Sequence, residues 1–207
     1  MSRLRVVPII EGHGEMQCVR ILLERLWYEL LGGEFIQVLL PVRGPRGSLV
    51  QEVGLHRAVS LAHRKLISPL GSSDPALVLI LIDADEDCPG KLGPILLESA
   101  RKVLPGADVA CVLAKYEYET WFAAAAESLT KYLEFPDGFV ASEEPENARH
   151  GKAWIERCFR GPKYSAARDQ AGMTSAMNLD LCLKRSPSFG KLCRELERRV
   201  RKPSSSA

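Results

Sequence analysis

Hydrophobic positions along the chain follow two alternating rhythms. Leu4–Ile10 is a short, continuous apolar run rich in β-branched residues, the pattern of a strand buried on both faces. Met16, Val19, Leu22, Leu23, Leu26, Trp27 and Leu30 then recur at helical spacing, and Gly32-Gly33 predicts the end of that helix. Phe35–Leu40 reads as a second strand, followed by a loop over Pro41–Gly47 and a helix from about Ser48 to Ser68. After a loop at Gly71–Pro75, Ala76–Ile82 is the strongest strand signal in the chain and runs into Asp83. Leu92–Leu104 is helical, Asp108–Ala114 is a fourth strand, and Glu119–Leu133 is a helix.

Strands alternating with helices predict βαβ units: an α/β fold with a parallel sheet of about four strands flanked by helices. From Phe135 to Ala148 the text turns polar and reads as a loop. Only helical patterns follow, at about Lys152–Phe159, Met173–Leu183 and Pro187–Arg201. The expected organisation is an α/β domain over 1–134, a helical extension packed on it over 135–202, and a disordered tail at 203–207.

Composition narrows the class. The 207 residues are 46% hydrophobic and 26% charged, with a mean hydropathy of −0.07, which excludes collagenous, disordered and coiled-coil chains. No apolar run is long enough for a bilayer, and the start lacks a signal-peptide core, so a soluble cytoplasmic protein with no membrane partner is expected. Six cysteines at 18, 88, 111, 158, 182 and 193 form no CxxC pair and fall mostly in apolar stretches, as reduced thiols do.

Charge is unevenly placed. Residues 151–202 carry 13 Lys/Arg against 5 Asp/Glu, a balance of +8; with the whole chain at +2, the rest stands at −6. An acidic front and a basic back suit a metal on one side and a polyanion on the other, or a set of solvated helix faces.

Ligands of open parallel sheets bind beyond the carboxyl ends of the strands. Strand one runs into Glu11-Gly12-His13-Gly14-Glu15, strand three into Asp83-Ala84-Asp85-Glu86-Asp87, and strand four ends near Glu117 and Glu119. Carboxylates gathered on one edge repel one another unless a cation neutralises them. Hard oxygen ligands of this kind suit magnesium or manganese. Glu119 is the preferred candidate of its pair, because it opens a helix whose first turn should face the edge.

Glu11-Gly12 after strand one and Asp83-x-Asp85 after strand three resemble the Toprim domain of topoisomerases, DnaG-type primases and OLD-family nucleases. The added Glu15, giving Glu-Gly-x-x-Glu, is most similar to the OLD nucleases, in which a Toprim domain cuts DNA with divalent metal. Small size, Glu119-x-Trp121-Phe122 and Ser186-x-Ser188-Phe189 resemble a stand-alone bacterial Toprim-like family of unknown function, whose members often lie beside ATPases in defence gene clusters. The Toprim resemblance covers about residues 4–120.

The resemblance implies a catalytic or metal-binding Glu11, a magnesium held by Asp83 and Asp85, and Glu15 and Asp87 completing one or two metal sites. Two metals about 4 Å apart would activate water and stabilise the leaving oxygen of a phosphodiester. Where primase-like domains place a small residue and glycine, this chain has Asp87-Cys88-Pro89, which points away from primer synthesis.

Cations for the substrate come from several places. Arg43 and Arg46 flank glycines on the loop after strand two, Lys163 follows Gly161-Pro162 and could stabilise a pentacovalent phosphate, and Arg198 and Arg201 belong to the basic extension. Arg185 precedes Ser186-Pro187, which reads first as a helix cap and second as a phosphate site. His56, His63 and His150 lack metal-ligand spacing.

The leading expectation is a magnesium- or manganese-dependent endonuclease acting on nucleic acid, DNA ahead of RNA, with an ATPase partner. The alternative is a catalytically degenerate Toprim-like module that binds nucleic acid or a partner protein. A receiver-like or phosphohydrolase domain fits less well, because such folds use an aspartate nucleophile where this chain has Glu11.

Overall fold

β1 (Leu4–Ile10), β4 (Ala76–Asp83) and β5 (Val109–Ala114) form where the apolar runs predict strands. The second strand is shorter than expected: β2 (Ile36–Val38) stops, and after a break β3 (Val42–Arg43) resumes inside the stretch read as a loop. Both lie along one edge of β1, β2 opposite Leu4–Val6 and β3 opposite Ile9 and Ile10. The sheet is parallel throughout, in the order β2-β1-β4-β5 with β3 beside β1. The computed structural model describes residues 3–67, 74–148 and 151–200. The expectations at Ser68, Gly71, His150, Arg201 and the 203–207 tail lie outside them.

α1 (Glu15–Arg25) continues through a wider π turn over Leu26–Leu30 and ends at Gly32, whose φ of +62° is the left-handed termination glycine permits. The helix expected from Ser48 is two pieces, α2 (Arg46–Leu49) and α3 (Glu52–Leu66). α4 (Pro89–Val103) starts earlier than its apolar pattern, with Pro89 in the first turn where its missing N–H costs nothing. α5 (Glu119–Ala124) is much shorter than expected and passes into a 3₁₀ turn at Ala126–Leu129. The extension folds as α6 (Gly151–Cys158), α7 (Ala166–Ala176), α8 (Leu179–Arg185) and α9 (Pro187–Val200). The single helix read over Met173–Leu183 is cut because Asn178 caps α8, its side chain accepting the Leu181 N–H at 3.0 Å.

Strand alternation divides the core in two. Val6, Ile10, Leu77, Leu79, Leu81, Ala110 and Val112 face α1, α5 and the later helices. Val7, Ile9, Val78, Ile80, Ile82, Cys111 and Leu113 face α3 and α4. The chain leaves β1 for β2 over the first face, and reaches β4 and β5 over the second. The winding therefore reverses between β1 and β4, and the carboxyl ends of those two strands form the switch point where α/β sheets bind ligands.

Candidate functional site

Glu11 ends β1 and Asp83 ends β4, so the pairing of these strands brings them to one place although 72 positions separate them. A cleft of about 680 Å³ opens there. Its floor carries Glu11 and Glu15 from the β1 exit, Asp83 from β4, and Glu117 and Glu119 from the β5 exit. Its far wall comes from the extension: Lys152 and Glu156 of α6, Lys163 and Tyr164 of the connecting loop, and Arg168 and Gln170 of α7.

Gly14 explains how that wall comes so close. A Cβ there would stand 2.3 Å from Gln170 Oε1 and 2.8 Å from the Ala166 carbonyl, so α7 can dock on the β1 exit only against glycine.

The floor is short of positive charge. Glu15 accepts the Glu11 N–H at 3.0 Å, yet burial pushes its carboxyl up to about 7, with Glu11 and Glu119 adding repulsion. Asp83 keeps part of its surface open to the cleft but is otherwise ringed by protein. It accepts the Tyr118 N–H at 2.9 Å, and burial followed by Glu15, Glu119, Glu11 and Glu117 holds its carboxyl well above the usual range. Glu119 is raised by burial, against the pull of the Tyr164 hydroxyl donating to it at 2.9 Å. Glu11 is raised by burial and by Asp85, with Arg46 opposing, and its Oε2 is buried with no hydrogen-bond partner. Carboxyls pushed up together by one another hold protons near neutral pH or take up a cation.

The rest of the Asp-x-Asp-x-Asp loop turns elsewhere. Asp85 adopts φ +46° and exchanges a bridge with Tyr116, itself at φ +60°, two non-glycine residues in the left-handed region side by side at the strand exits. Asp85 pairs with Arg46 at 3.1 Å, Asp87 also pairs with Arg46, and neither lines the cleft. Arg46 additionally donates to the Asp83 and Ala84 carbonyls at 3.1 and 2.8 Å. It anchors the loop from within and is not a free phosphate ligand.

Arg185 is likewise consumed: its guanidinium is buried and donates to the Ala124 carbonyl and to Glu127 and Glu143. The reading of Ser186 as a cap stands, since its Oγ accepts the Phe189 N–H at 3.1 Å. Arg43 is exposed on β3 opposite Ile10 and does not line the cleft, and Arg198 is exposed on α9 with Glu195 at 3.0 Å.

The structure thus gathers Glu11, Glu15, Asp83, Glu119 and Lys163 in the cleft, while Asp85, Asp87 and Arg46 pair with one another outside its lining and Arg185 pairs with Glu127 and Glu143. It adds Glu117, whose Oε1 accepts the Lys152 N–H at 3.1 Å, along with Lys152 and Glu156. Glu117 had a sequence signal, its place at a strand exit; the α6 pair had none.

Among the described residues, no three His, Cys, Asp or Glu side chains form a ready-made metal cage. A magnesium site does not need one, since this ion takes one or two carboxylates and fills its shell with waters and substrate phosphate. A partnerless, buried Glu11 oxygen, with Asp83 held above the usual carboxylate range in the same cleft, fits such a cation.

A family model described as a domain of unknown function, DUF4276, matches residues 10–197. No curated protein and no solved structure matches the chain.

Proposed function

This chain belongs to the DUF4276 family, and we propose that its cleft is a magnesium- or manganese-dependent phosphodiesterase site of the Toprim type, a nuclease with DNA ahead of RNA as substrate. One observation carries the reading: Asp83 sits at the switch point among four other carboxylates, and among the described residues no cation is paired to it. Glu11, Asp83 and Glu15 would hold the ion. When bound, it would supply Lewis-acid charge to the phosphoryl oxygens and lower the pKa of water.

The chain's own groups complete the chemistry. Glu11, raised but still partly open, is placed to take a proton from water. Lys163 and Lys152 overhang the acidic floor and would neutralise a phosphate entering between them. Tyr164 keeps Glu119 oriented through its hydroxyl. Six unpaired cysteines suit the reducing cytoplasm, where we place the protein. Among the described residues no helix is long and apolar enough to cross a membrane.

The acidic floor repels a polyanion, so the isolated chain should nick slowly, best with manganese, and faster with magnesium once a partner holds the substrate in line. The gene neighbourhoods of the resembling family suggest an ATPase as that partner. The test is calorimetric titration with manganese alongside a nicking assay. Binding lost in both Glu11→Gln and Asp83→Asn supports the reading, and unchanged binding and nicking in both removes it. The hold of Arg46 on Asp85 and Asp87 favours a second reading, a non-catalytic module, which predicts no manganese binding at all.

A further inference from the structure

α6 divides the acidic cleft from a second cavity of about 220 Å³. Lys152 and Glu156 line the cleft, while Gly151, Trp154 and Arg157 of the same helix line the cavity. On α5 the neighbours Glu119 and Thr120 divide in the same way. The two spaces therefore share both walls.

Phe139 and Trp154 bring aromatic rings to the cavity, and Thr120, Ser142 and Arg157 bring polar groups. Phe139 is stacked on Phe135, with centroids 4.1 Å apart and planes 9° from parallel, and stands 6.3 Å from Trp154 at 31°. Thr120 is 1% exposed, and its Oγ1 has no hydrogen-bond partner. Buried hydroxyls are nearly always satisfied, so an orphan on a residue that lines a cavity marks the place of a missing polar atom. Arg157, exposed and also on the lining, has no hydrogen bond or ion pair to its guanidinium among the described residues.

We propose that this cavity receives an unstacked nucleobase from a single-stranded nucleic acid whose backbone crosses α6 into the acidic cleft; the inference rests on the phosphodiesterase reading of that cleft. A base is flat enough for the Phe139 and Trp154 faces, and every base offers a π-face to them. Its edge carries donors and acceptors, and a threonine hydroxyl can answer either. Arg157 meets the phosphate beside that base. A helix is about 10 Å across, a span covered by a few nucleotides of extended strand. Bases paired in a duplex cannot enter without being flipped out, so the substrate is single-stranded or locally opened.

The test uses the full chain without divalent metal, so that binding is read apart from cleavage. Trp27 and Trp121 are buried, which leaves partly buried Trp154 as the fluorophore that stacking would quench. A three-residue oligodeoxyadenylate should quench it, while an abasic oligomer of the same length should not. Thr120→Val should weaken oligomer binding by roughly five- to tenfold, the worth of one hydrogen bond. It should also raise the melting temperature, because an unsatisfied hydroxyl is gone. Phe139→Ala should cost roughly tenfold or more in affinity.

Equal binding of the abasic oligomer, or unchanged affinity in Thr120→Val, would overturn the base pocket. Binding of deoxyadenosine monophosphate as tight as that of the oligomer would overturn its assignment to a strand. A chain that quenches but neither binds manganese nor cuts defeats only the phosphodiesterase reading, and one that cuts without quenching defeats only the pocket.

Discussion

Two acidic groups lie within a few residues of each other at the β4 exit, and they have opposite fates. Asp85 and Asp87 are more than half exposed, and both carboxylates share the Arg46 guanidinium. Asp83, two residues earlier, faces Glu11, Glu15, Glu117 and Glu119 across the cleft, and among the described residues its carboxylate accepts only a backbone N–H. In sequence the three aspartates look alike. What separates them is counter-charge: the first group is neutralised by the protein itself, whereas the second is left to be neutralised from outside. A carboxylate marks a site when the fold declines to pair it.

The sharpest way to break this contrast is to remove the charges one at a time. Asp83→Asn and Glu11→Gln should lower metal-dependent cleavage by at least about 100-fold, while Asp85→Asn should cost far less. Asp83→Asn should also raise the metal-free melting temperature at pH 8, because it relieves repulsion. Equal loss of cleavage from Asp85→Asn and Asp83→Asn would mean that the Arg46 pairing gives way when the proposed site is loaded and that the contrast is empty.

The anchored group can be tested through Arg46. Arg46→Ala removes two hydrogen bonds to loop carbonyls and two ion pairs, of which the exposed ion pairs count for little. Urea unfolding should show a loss of about 1–3 kcal/mol, chiefly from the carbonyls left unpaired. An unaffected midpoint would show that Arg46 does not hold the loop.

Acidity offers a third handle. Glu15 in the folded protein titrates at about 7 against an ordinary 4.5. It therefore binds more protons folded than unfolded, and the stability it contributes below pH 4.5 drains away as pH rises to about 7. Asp83, Glu119 and Glu11 are raised too and push the same way. Melting temperatures measured without metal should fall across that window, and magnesium or manganese should restore them above it. A metal-free curve that rises with pH there would contradict the unpaired floor.

The smallest effect belongs to the basic extension. Its +8 shrinks in the folded chain, because Arg185 is spent on Glu127 and Glu143, and Arg199 on Asp108 and Glu195. Arg198 remains largely outside, 66% exposed. Arg198→Glu should lower the salt slope of nucleic-acid binding by about 1 if it touches a phosphate. An unchanged slope would make it part of a solvated face.

The chain itself determined a good deal. Continuous apolar runs at Leu4–Ile10 and Ala76–Ile82 can be stable only as strands covered on both sides, and their ends placed Glu11 and Asp83 at the edge that open parallel sheets generally use for ligands. Local pattern also marked the cap at Ser186 and the stop at Gly32. It did not show β3, because two residues carry no period, nor the break at Asn178, where a cap interrupts an unbroken apolar rhythm. Only the tertiary structure decided which carboxylates stay unpaired, that Arg46 folds back on its neighbours while Arg43 does not, and that α6 and α7 close the cleft with Lys152, Glu156 and Lys163. Charge interaction depends on separation in space and on burial, and residues 70 or more positions apart acquire both only when the sheet is assembled.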